Sequence, residues 1–369
     1  MIAFRSIKWA PARLLFLVSI YLLPSTSYAQ PAGAQGDDFI YNVRPGDTLL
    51  QLSQQYTGSP ANWKALQRLN AVQDATMLPI GMTLRIPFSM IPEISAQAHV
   101  THIAGQVAAN GQAVQNGVAL KEGDLVHTGP NGFLTLELAD NSTLTIPANS
   151  AVRLERVRVF RDSGLTDTVL TVDEGSLESE VAPQDTGVGR FEVRTPVSVT
   201  SVRGTKLRVR AQPQGTQTEV LAGVAESGTR GGLEKARLTH GQGGAVDANG
   251  KWLGVRRLLA APVLSTPTND GEGWALSFTP VAGATAYLVQ VADDPAGSRL
   301  HSSECFMTPD ITFQAPRAGT YYLLVRSADQ DGVMGPDATL SFLSEEILRT
   351  FDGSPVFSGF GQRVLLTET

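Results

Sequence analysis

Hydrophobic and polar positions alternate along most of this chain, and a helical period occurs only near its beginning. Residues 39–43 alternate like one face of a strand, whereas Leu49, Leu52 and Tyr56 recur at helical spacing. The sequence "PGDT" at 45–48 separates the two patterns. We therefore expect an abrupt corner between a strand and a helix at this point.

The first module is expected to have the order strand, helix, helix, strand between residues 39 and 88. Thr48 and Gln51 fit a capping box at the start of the first helix, with Asp47 as the alternative N-cap. A second helix is expected from "SP" at 59–60 to Asn70, where it ends. Residues 82–86 alternate again and predict the closing strand.

The following 160 residues show short alternating runs, separated by turn sequences such as "GPNG", "DSG" and "DEG". Between Leu154 and Val157 the alternation slips by one residue, which predicts a β-bulge or a strand break around Glu155 and Arg156. The pattern indicates an all-β domain over 99–250, either a sandwich or solenoid-like.

Alternation resumes after a Pro-containing linker at 251–266. Trp274, Leu276 and Phe278 alternate with polar or small residues, and two later segments do the same, which predicts an antiparallel β-sandwich over 267–345. Residues 346–369 show no clear period, and we expect a tail of unknown order there. The predicted fold class is therefore mainly β and multidomain.

Residues 1–29 have the pattern of a secretory signal peptide. Basic residues precede an apolar run from Leu14 to Leu23, and the small residues Ser27 and Ala29 occupy the two positions that a signal peptidase reads before the expected cut after Ala29. Retention of this segment as a membrane anchor is the alternative. Residues 30–38 are small and polar and predict a flexible leader. We therefore expect an exported protein, in the periplasm or otherwise associated with the cell wall, that is not an integral membrane protein once the signal is removed.

Charge and cysteine content narrow the possible partners. The formal net charge is −6, which gives no electrostatic footprint for nucleic acid. A single cysteine, Cys305, excludes an intramolecular disulfide, and we expect it to be a small buried hydrophobe.

No set of residues in the sequence predicts catalysis, a metal or a cofactor. The five histidines form no HExxH pattern, and no histidine follows Cys305. Asp329 and Asp331 before Gly332 suggest a hairpin turn rather than a calcium loop, since no acidic residue closes such a loop.

The segments "YNVRPGDTLLQLSQQY", "WKALQRLN" and "LPIGMTLRIP" resemble the LysM family over residues 41–87. The resemblance implies a βααβ fold that binds N-acetylglucosamine-containing glycans, most often peptidoglycan. It places a groove between two loops. The implied glycan-binding residues are Gly46, Asp47, Thr48, Leu49, Asn70, Met77, Leu78, Pro79, Ile80 and Gly81.

Local chemistry is compatible with that groove. Gly46 allows close approach of the backbone, the first helix leaves N–H groups unpaired, and Leu78 and Ile80 offer apolar surface. Each residue also has a structural alternative. Asp47 or Thr48 serves as a helix cap, and Leu49 or Ile80 as part of the core.

The segments "GDLVHTGPNGFLTLELADNSTLTI", "LTVDEGSLESE", "FEVRTPVSVTSVRGTKLRV" and "VLAGVAESG" resemble the FecR domain, and Arg203, Gly204 and Thr205 are its most specific element here. The family implies a mainly β periplasmic domain that, in some members, signals to an anti-sigma factor. In those regulators a membrane helix precedes the domain, whereas here a signal peptide and a LysM-like module do. We expect Arg203 to close a structural turn.

Residues 267–345 look like a fibronectin type III or related sandwich, carried by "GWALSFTPVAGATAYLVQVADD" and "AGTYYLLVRSADQDGVMG". The expected function is non-enzymatic binding of peptidoglycan by the first module, with the two β domains mediating protein interactions. The alternatives are an envelope regulator of FecR type, acting on an anti-sigma or receptor partner, and a cell-wall hydrolase.

Overall fold

A computed structural model describes residues 33–35, 37–160, 165–181, 190–269, 273–344, 346–347, 350, 356–359 and 365–366. The expected signal peptide lies outside the described residues, as does most of the expected tail. The described part has two α-helices, both within the first 70 residues, and two short 3-10 helices, and its remaining regular elements are strands. This confirms the mainly β prediction.

The first module has the predicted order of elements. They are β1 (Gly33–Gln35), β2 (Asp38–Asn42), α1 (Leu49–Thr57), a short 3-10 helix (Pro60–Asn62), α2 (Trp63–Leu69) and β3 (Thr83–Pro87). β2 pairs antiparallel with β3, and β1 adds a third strand beside β2. β1 therefore lies in the segment expected to be a flexible leader. The "SP" sequence begins the 3-10 helix, and α2 starts only at Trp63.

The core of this module is aromatic. Tyr56 of α1 packs against Phe39 and Tyr41 of β2, with ring centroids 5.3 and 5.4 Å apart. Leu84 and Ile86 of β3 close the core from the other strand and are buried. The apolar side chains that alternate along β2 and β3 and those that recur along α1 therefore pack into one core.

The middle of the chain is one large, mostly antiparallel sheet, to which sixteen strands of the described residues belong. They are β4 (Glu93–Ser95), β5 (Gln97–Ala104), β6 (Val107–Ala109), β7 (Gln112–Ala113), β8 (Ala119–Lys121), β9 (Leu125–Thr128), β10 (Phe133–Glu137), β11 (Thr143–Ile146), β12 (Ser150–Phe160), β13 (Leu165–Glu180), β14 (Arg190–Arg194), β15 (Ser198–Gln212), β16 (Gly215–Thr229), β17 (Lys235–Thr239), β18 (Gln242–Asp247) and β19 (Trp252–Arg257).

Long paired strands dominate this sheet. β12 pairs with β13 and β15 with β16, and the register of β12 shifts between Leu154 and Arg156. The shift confirms the bulge predicted from the slipped alternation. The sheet also extends beyond residues 99–250, because β4 and β5 begin before it and β19 occupies the start of the expected linker.

The C-terminal region is a sandwich of a three-stranded and a four-stranded sheet. Its strands are β20 (Thr268–Asn269), β21 (Trp274–Ser277), β22 (Ala286–Ala292), β23 (Leu300–Phe306), β24 (Asp310–Phe313), β25 (Gly319–Ala328) and β26 (Ala338–Ser344). The sheet orders are β20-β21-β24 and β23-β22-β25-β26. Two further strands, β27 (Glu346–Ile347) and β28 (Leu365–Leu366), pair within the tail. The fibronectin type III assignment stays a prediction.

The first module joins the large sheet through an apolar contact. Phe160 at the end of β12 and Leu165 at the start of β13 are buried in the core of the first module. The Phe160 ring stacks on Phe88 at 5.2 Å, and the Arg190 guanidinium lies 5.2 Å from the Phe88 ring centroid. Arg190 also forms a buried ion pair with Asp167 at 2.7 Å. The first module therefore shares its core with the large sheet.

The sandwich joins the large sheet through buried charges. Arg326 of β25 donates to Glu178 of β13 at 2.8 Å and to Asp337 at 2.7 Å. Arg208 of β15 donates to the carbonyl of Gly335 at 2.9 Å and also contacts both carboxylates. Each carboxylate thus lies between two arginines. A small apolar cluster, in which Phe133 of β10 packs with Leu300 and Leu324 of the sandwich, also joins the two regions.

A second buried pair lies next to the network. Arg210 of β15 and Glu219 of β16 are 3.1 Å apart, and the backbone N–H of Met334 donates to the Glu219 carboxylate at 3.0 Å. Among the described residues, Arg210 Nε, Gln217 Oε1 and Glu219 Oε2 are buried without a hydrogen-bond partner. The polar groups at this junction are therefore incompletely satisfied.

Candidate functional site

The corner between β2 and α1 is fixed by Asp47. Its carboxylate accepts hydrogen bonds from the Tyr41 hydroxyl at 2.8 Å and from the Arg44 backbone N–H at 2.7 Å. Burial, followed by the Asp47 carboxylate, raises the pKa of Tyr41 well above its usual value, so the phenol stays a donor. Gly46 has a φ of +89° and is exposed, which lets the chain turn without a side chain in the way.

Thr48 is the N-cap of α1, which decides between the two predicted caps. Its hydroxyl accepts from the Gln51 backbone N–H at 3.3 Å and donates to the Gln51 side-chain oxygen at 3.1 Å. These bonds commit the Thr48 side chain to the helix start. Asp47 and Thr48 thus hold the shape of the loop.

The second loop, residues 74–81, is ordered by another acid. Asp74 accepts from the Thr76 backbone at 2.8 Å, from the Thr76 hydroxyl at 2.6 Å and from the Met77 backbone at 3.3 Å. The hydrogen bonds from Thr76 lower the pKa of Asp74. A turn closed by Met82 N–H donating to the Pro79 carbonyl at 3.0 Å follows, with Gly81 at a φ of +81°.

Backbone hydrogen bonds join the two loops. The Leu49 N–H donates to the Ala75 carbonyl at 3.0 Å, and the Gly81 N–H donates to the Val43 carbonyl at 2.9 Å. Segments that are about thirty residues apart in the sequence therefore form one surface. The two halves of the expected groove adjoin.

Three exposed apolar side chains surround these loops. Met77 is 78% exposed, Ile80 71% and Leu50 53%. Leu49 and Leu78, which the sequence analysis also assigned to the groove, face the core and are buried. Leu49 and Leu78 can therefore offer only backbone groups to a ligand in the groove. Pro79 is exposed between Met77 and Ile80.

Leu50 is not among the glycan-binding residues that the resemblance to the LysM family implies. It directly follows Leu49, and the helical period that places Leu49 and Leu52 in the core turns Leu50 outward. That exposed leucine at the first turn of α1 was the signal available in the sequence. We refer to Leu50, Met77 and Ile80 together as the apolar rim.

Asn70 has a structural role at the end of α2. Its amide donates to the carbonyls of Leu66 and Arg85, both at 2.9 Å, and accepts from the Arg85 backbone N–H at 2.7 Å. The bond to Leu66 caps the end of α2, and the two bonds to Arg85 tie this end to the middle of β3. The Asn70 side chain is therefore occupied by hydrogen bonds within the domain, and its expected contact with glycan stays a prediction.

The Arg203-Gly204-Thr205 sequence forms an irregularity where β15 pairs with β16. The register shifts between Arg203 and Lys206, and Gly204 has a φ of +54°. Thr205 is buried, and its hydroxyl donates to the Val224 carbonyl at 2.7 Å and accepts from the Val224 N–H at 3.2 Å. Thr205 therefore closes the bulge. The side chain of Arg203 lies outside the described part, so the role expected for it stays a prediction.

Other candidate chemistry is sparse in the described residues. No group of three or more histidine, cysteine or acidic side chains is placed there to hold a metal ion. Cys305 lies on the edge strand β23 and is exposed, so the expected burial is wrong. Edge position explains the difference, since the outer flank of β23 has no neighbouring strand among the described elements. No described helix is long and apolar enough to cross a membrane.

Comparison with known families now identifies two domains. A model of the LysM domain matches residues 41–87, which contain both loops and the apolar rim. A model of the FecR protein matches residues 124–226, from β9 to β16. The chain carries a LysM domain followed by a FecR domain. The FecR match covers the bulge at Gly204 and the strands that carry Glu178, Arg208 and Arg210.

A search of the curated proteins finds no match to this chain. Among solved structures, two crystal structures of a candidate anti-sigma factor from Parabacteroides distasonis ATCC 8503, at 2.50 and 1.65 Å, are similar at 18% identity with a TM-score of 0.30. The similarity covers 36% of this chain and 59% of theirs. The extracellular domain of a candidate one-component system from B. thetaiotaomicron is similar at 9% identity with a TM-score of 0.16, over 71% of this chain and 60% of that one.

Proposed function

We propose that this protein is exported and binds peptidoglycan without catalysing a reaction on it. The LysM domain holds the N-acetylglucosamine-containing glycan, while the FecR domain and the sandwich contact protein partners. The observation that carries the proposal is the joined pair of loops with the apolar rim. N-acetyl sugars present amides and hydroxyls beside methyl groups and ring faces, so a receptor needs backbone polar groups beside small apolar side chains.

The apolar rim and the backbones of the two loops together offer both kinds of group. Gly46 and Gly81 leave exposed backbone on either side of the junction between the loops, and Met77 and Ile80 supply apolar contact. Asp47, Thr48 and Asp74 support this surface from within their own turns. We therefore assign contact with the glycan to the rim and the loop backbones, and a positioning role to the polar side chains.

A sedimentation assay with insoluble peptidoglycan tests the proposal. The variant carries Met77→Asp and Ile80→Asp, which place charge on the rim at exposed positions. A matched control is Leu233→Asp in the turn between β16 and β17, because Leu233 is 92% exposed and lies outside the LysM domain. We expect the double variant to lose most of its bound fraction and the control to keep it. Equal binding by the two variants would contradict the assignment.

Absence of catalysis is tested separately. The purified protein, incubated with peptidoglycan, is expected to release no soluble muropeptides. Release above the level of a boiled sample would identify a hydrolase instead.

Envelope signalling is a second candidate function, favoured by the FecR match over residues 124–226. On this alternative the FecR domain receives a signal from an envelope receptor and passes it to an anti-sigma partner. Crosslinking in cells is then expected to trap such a protein on the full chain. The peptidoglycan proposal, by contrast, predicts that crosslinks between this protein and peptidoglycan require residues 41–87. These crosslinks should form without any inducing condition.

A further inference from the structure

A cleft lies in the C-terminal sandwich, between the edge strands of its two sheets. β24 is an edge of the three-stranded sheet, and β23 is an edge of the four-stranded sheet. The cleft between them has a volume of about 350 Å³. This volume falls within the range of small-molecule sites, about 300 to 1,000 Å³. The cleft therefore has room for a small ligand.

The floor of the cleft is aromatic and fixed in orientation. Trp274 lines it together with Phe313 and Val289. The Trp274 ring lies nearly parallel to Phe313, with an interplanar angle of 13° at 6.4 Å, and meets Phe342 edge-on at 5.0 Å. Trp274 is only partly buried. A ring held in this way offers a preorganised apolar face, which reduces the entropy lost on binding.

The mouth of the cleft carries hydrogen-bonding groups. Glu304 pairs with Val289 and Ser302 with Val291 across β22 and β23, and both valines face the core. Directly paired residues point to the same face of a sheet, so Glu304 and Ser302 line the seam between the sheets. Glu304 is exposed, and it is the one charged side chain among the described residues that line the cleft.

These features select the ligand class. Among the described residues that line the cleft, one carboxylate and no cation are present, which disfavours phosphate and other anions. A carboxylate and a hydroxyl above an aromatic ring suit a neutral saccharide, whose hydroxyls donate to the carboxylate while its C–H face packs on the ring.

We propose that the cleft between β23 and β24 is a second glycan-binding site. The choice of an N-acetylglucosamine glycan rests on the function proposed above, because a single glycan-binding module gives weak retention and a second site on the same chain raises the overall affinity without new contacts at the first. Trp274 packs on the sugar ring, and Glu304 accepts its hydroxyl hydrogen bonds.

The experiment uses the full chain and chitotetraose, with binding followed by saturation-transfer NMR and calorimetry. One variant, Glu304→Arg, reverses the charge at the mouth and fills it. Its control is Thr339→Arg on β26, an exposed position on the opposite edge of the same sheet. Both are made with and without Met77→Asp and Ile80→Asp. Trp274→Phe, which keeps an aromatic ring in the core, serves as a second test of the platform.

We expect the protein altered at the LysM rim to retain measurable chitotetraose binding. Glu304→Arg on that background should weaken it at least tenfold, Trp274→Phe should weaken it less, and Thr339→Arg should leave it unchanged. On intact peptidoglycan, loss of either site should lower the apparent affinity by tenfold or more, as expected for two linked sites.

The outcomes separate the two proposals. Loss of all chitotetraose binding on altering the LysM rim would overturn the second site and leave the LysM proposal intact. Unchanged binding after that alteration, followed by its loss with Glu304→Arg, would support the cleft and overturn the LysM proposal. Retention on peptidoglycan that depends on Glu304 without any chitotetraose binding would indicate that the cleft holds a peptide stem, and would overturn the saccharide assignment.

Discussion

At the junction between the LysM domain and the large sheet, Phe160 is fully buried in the LysM core and stacks on Phe88. The buried Arg190 pairs within the sheet with Asp167, and its partner across the junction, Asp37, is exposed, so the buried contacts that cross this junction are mainly apolar. At the junction between the large sheet and the sandwich, Arg326 and Arg208 are buried between Glu178 and Asp337. An apolar contact is lost gradually with area and is insensitive to pH, whereas a buried charge network fails when one member is removed or neutralised.

The difference bears on function. If the LysM domain binds the cell wall as proposed, the core that it shares with the FecR domain would transmit a pull on it directly into β12 and β13. The sandwich is held by buried charged groups, one of which, Glu178, can be protonated in acid, so its attachment is the one that a change of pH can weaken. We expect the two junctions to fail separately, and hydrogen exchange measured on each side distinguishes them.

Removal of the Phe160 ring is expected to have the largest effect. Phe160→Ala leaves a cavity in the LysM core and should reduce the free energy of unfolding by about 4 kcal/mol. Exchange of the α1 amides, residues 49–57, should accelerate, while β22 and β25 keep their protection. Leu233→Ala, at an exposed site, is the control and should change stability by less than about 0.5 kcal/mol. Unaltered protection of α1 in Phe160→Ala would show that the shared core does not hold the domain.

Removal of Arg326 tests the other junction. Arg326→Ala leaves Glu178 and Asp337 short of a partner and should cost about 3 kcal/mol, the lower part of the range for broken buried pairs, because both carboxylates are about a fifth exposed and water reaches them. The expected loss of protection is in β22 and β25, with α1 unchanged, which reverses the result for Phe160→Ala.

Arg299→Ala is the matched control for Arg326→Ala. Arg299 lies on the same sandwich, is 52% exposed and pairs with Asp293 at 3.8 Å. An exposed pair of this kind contributes less than about 1 kcal/mol. A loss as large as that of Arg326→Ala would mean that any arginine of the sandwich has the same effect, and would remove the distinction between the junctions.

Acid should weaken the sandwich junction selectively. Burial opposes ionisation of Glu178, but the charges of Arg326 and Arg208 outweigh it and lower the pKa of Glu178 from 4.5 to about 2. A lowered pKa in the folded state gives stability that is present above pH 4.5 and is lost as the pH falls from 4.5 toward 2. Allowing for the 22% exposure of its side chain, the loss is on the order of 2 kcal/mol.

Glu178→Gln should remove this acid dependence, as followed by exchange in β25 between pH 5 and pH 2.5. Glu219→Gln is the contrasting variant. Burial, only partly offset by Arg210, raises the pKa of Glu219, so protonation of that carboxyl favours the folded state as the pH falls. Acid lability should therefore persist in Glu219→Gln. If Glu219→Gln lost its acid lability, the assignment of the acid response to Glu178 would be wrong.

Local signals in the sequence were sufficient for much of the fold. The cap at Thr48 and the bulge at Glu155–Arg156 each depend on neighbours within a few residues, and both are confirmed. The network at the sandwich could not be predicted, because Arg326 and Glu178 are 148 residues apart and each alone looks like a solvated charge.

For the candidate site, the family pattern predicted the two loops but not which of their side chains belong to the rim and which to the core. Leu78 and Ile80 are two residues apart and point in opposite directions, which only the packed loop determines.

The smallest expected effect concerns an ion pair beside the LysM junction and sharpens the comparison there. Arg158 of β12 contacts Glu122 at 2.6 Å and Glu93 of β4 at 2.5 Å, and its side chain is 24% exposed. Arg158→Lys keeps the charge but loses the two-pronged geometry, so we expect a loss of about 0.5 to 1 kcal/mol. Because exposed charges are screened by salt, the difference from the unaltered protein should shrink in 0.5 M NaCl, as measured by urea unfolding. A difference that is large and independent of salt would mean that this junction, too, depends on buried charge, and the contrast with the sandwich would no longer hold.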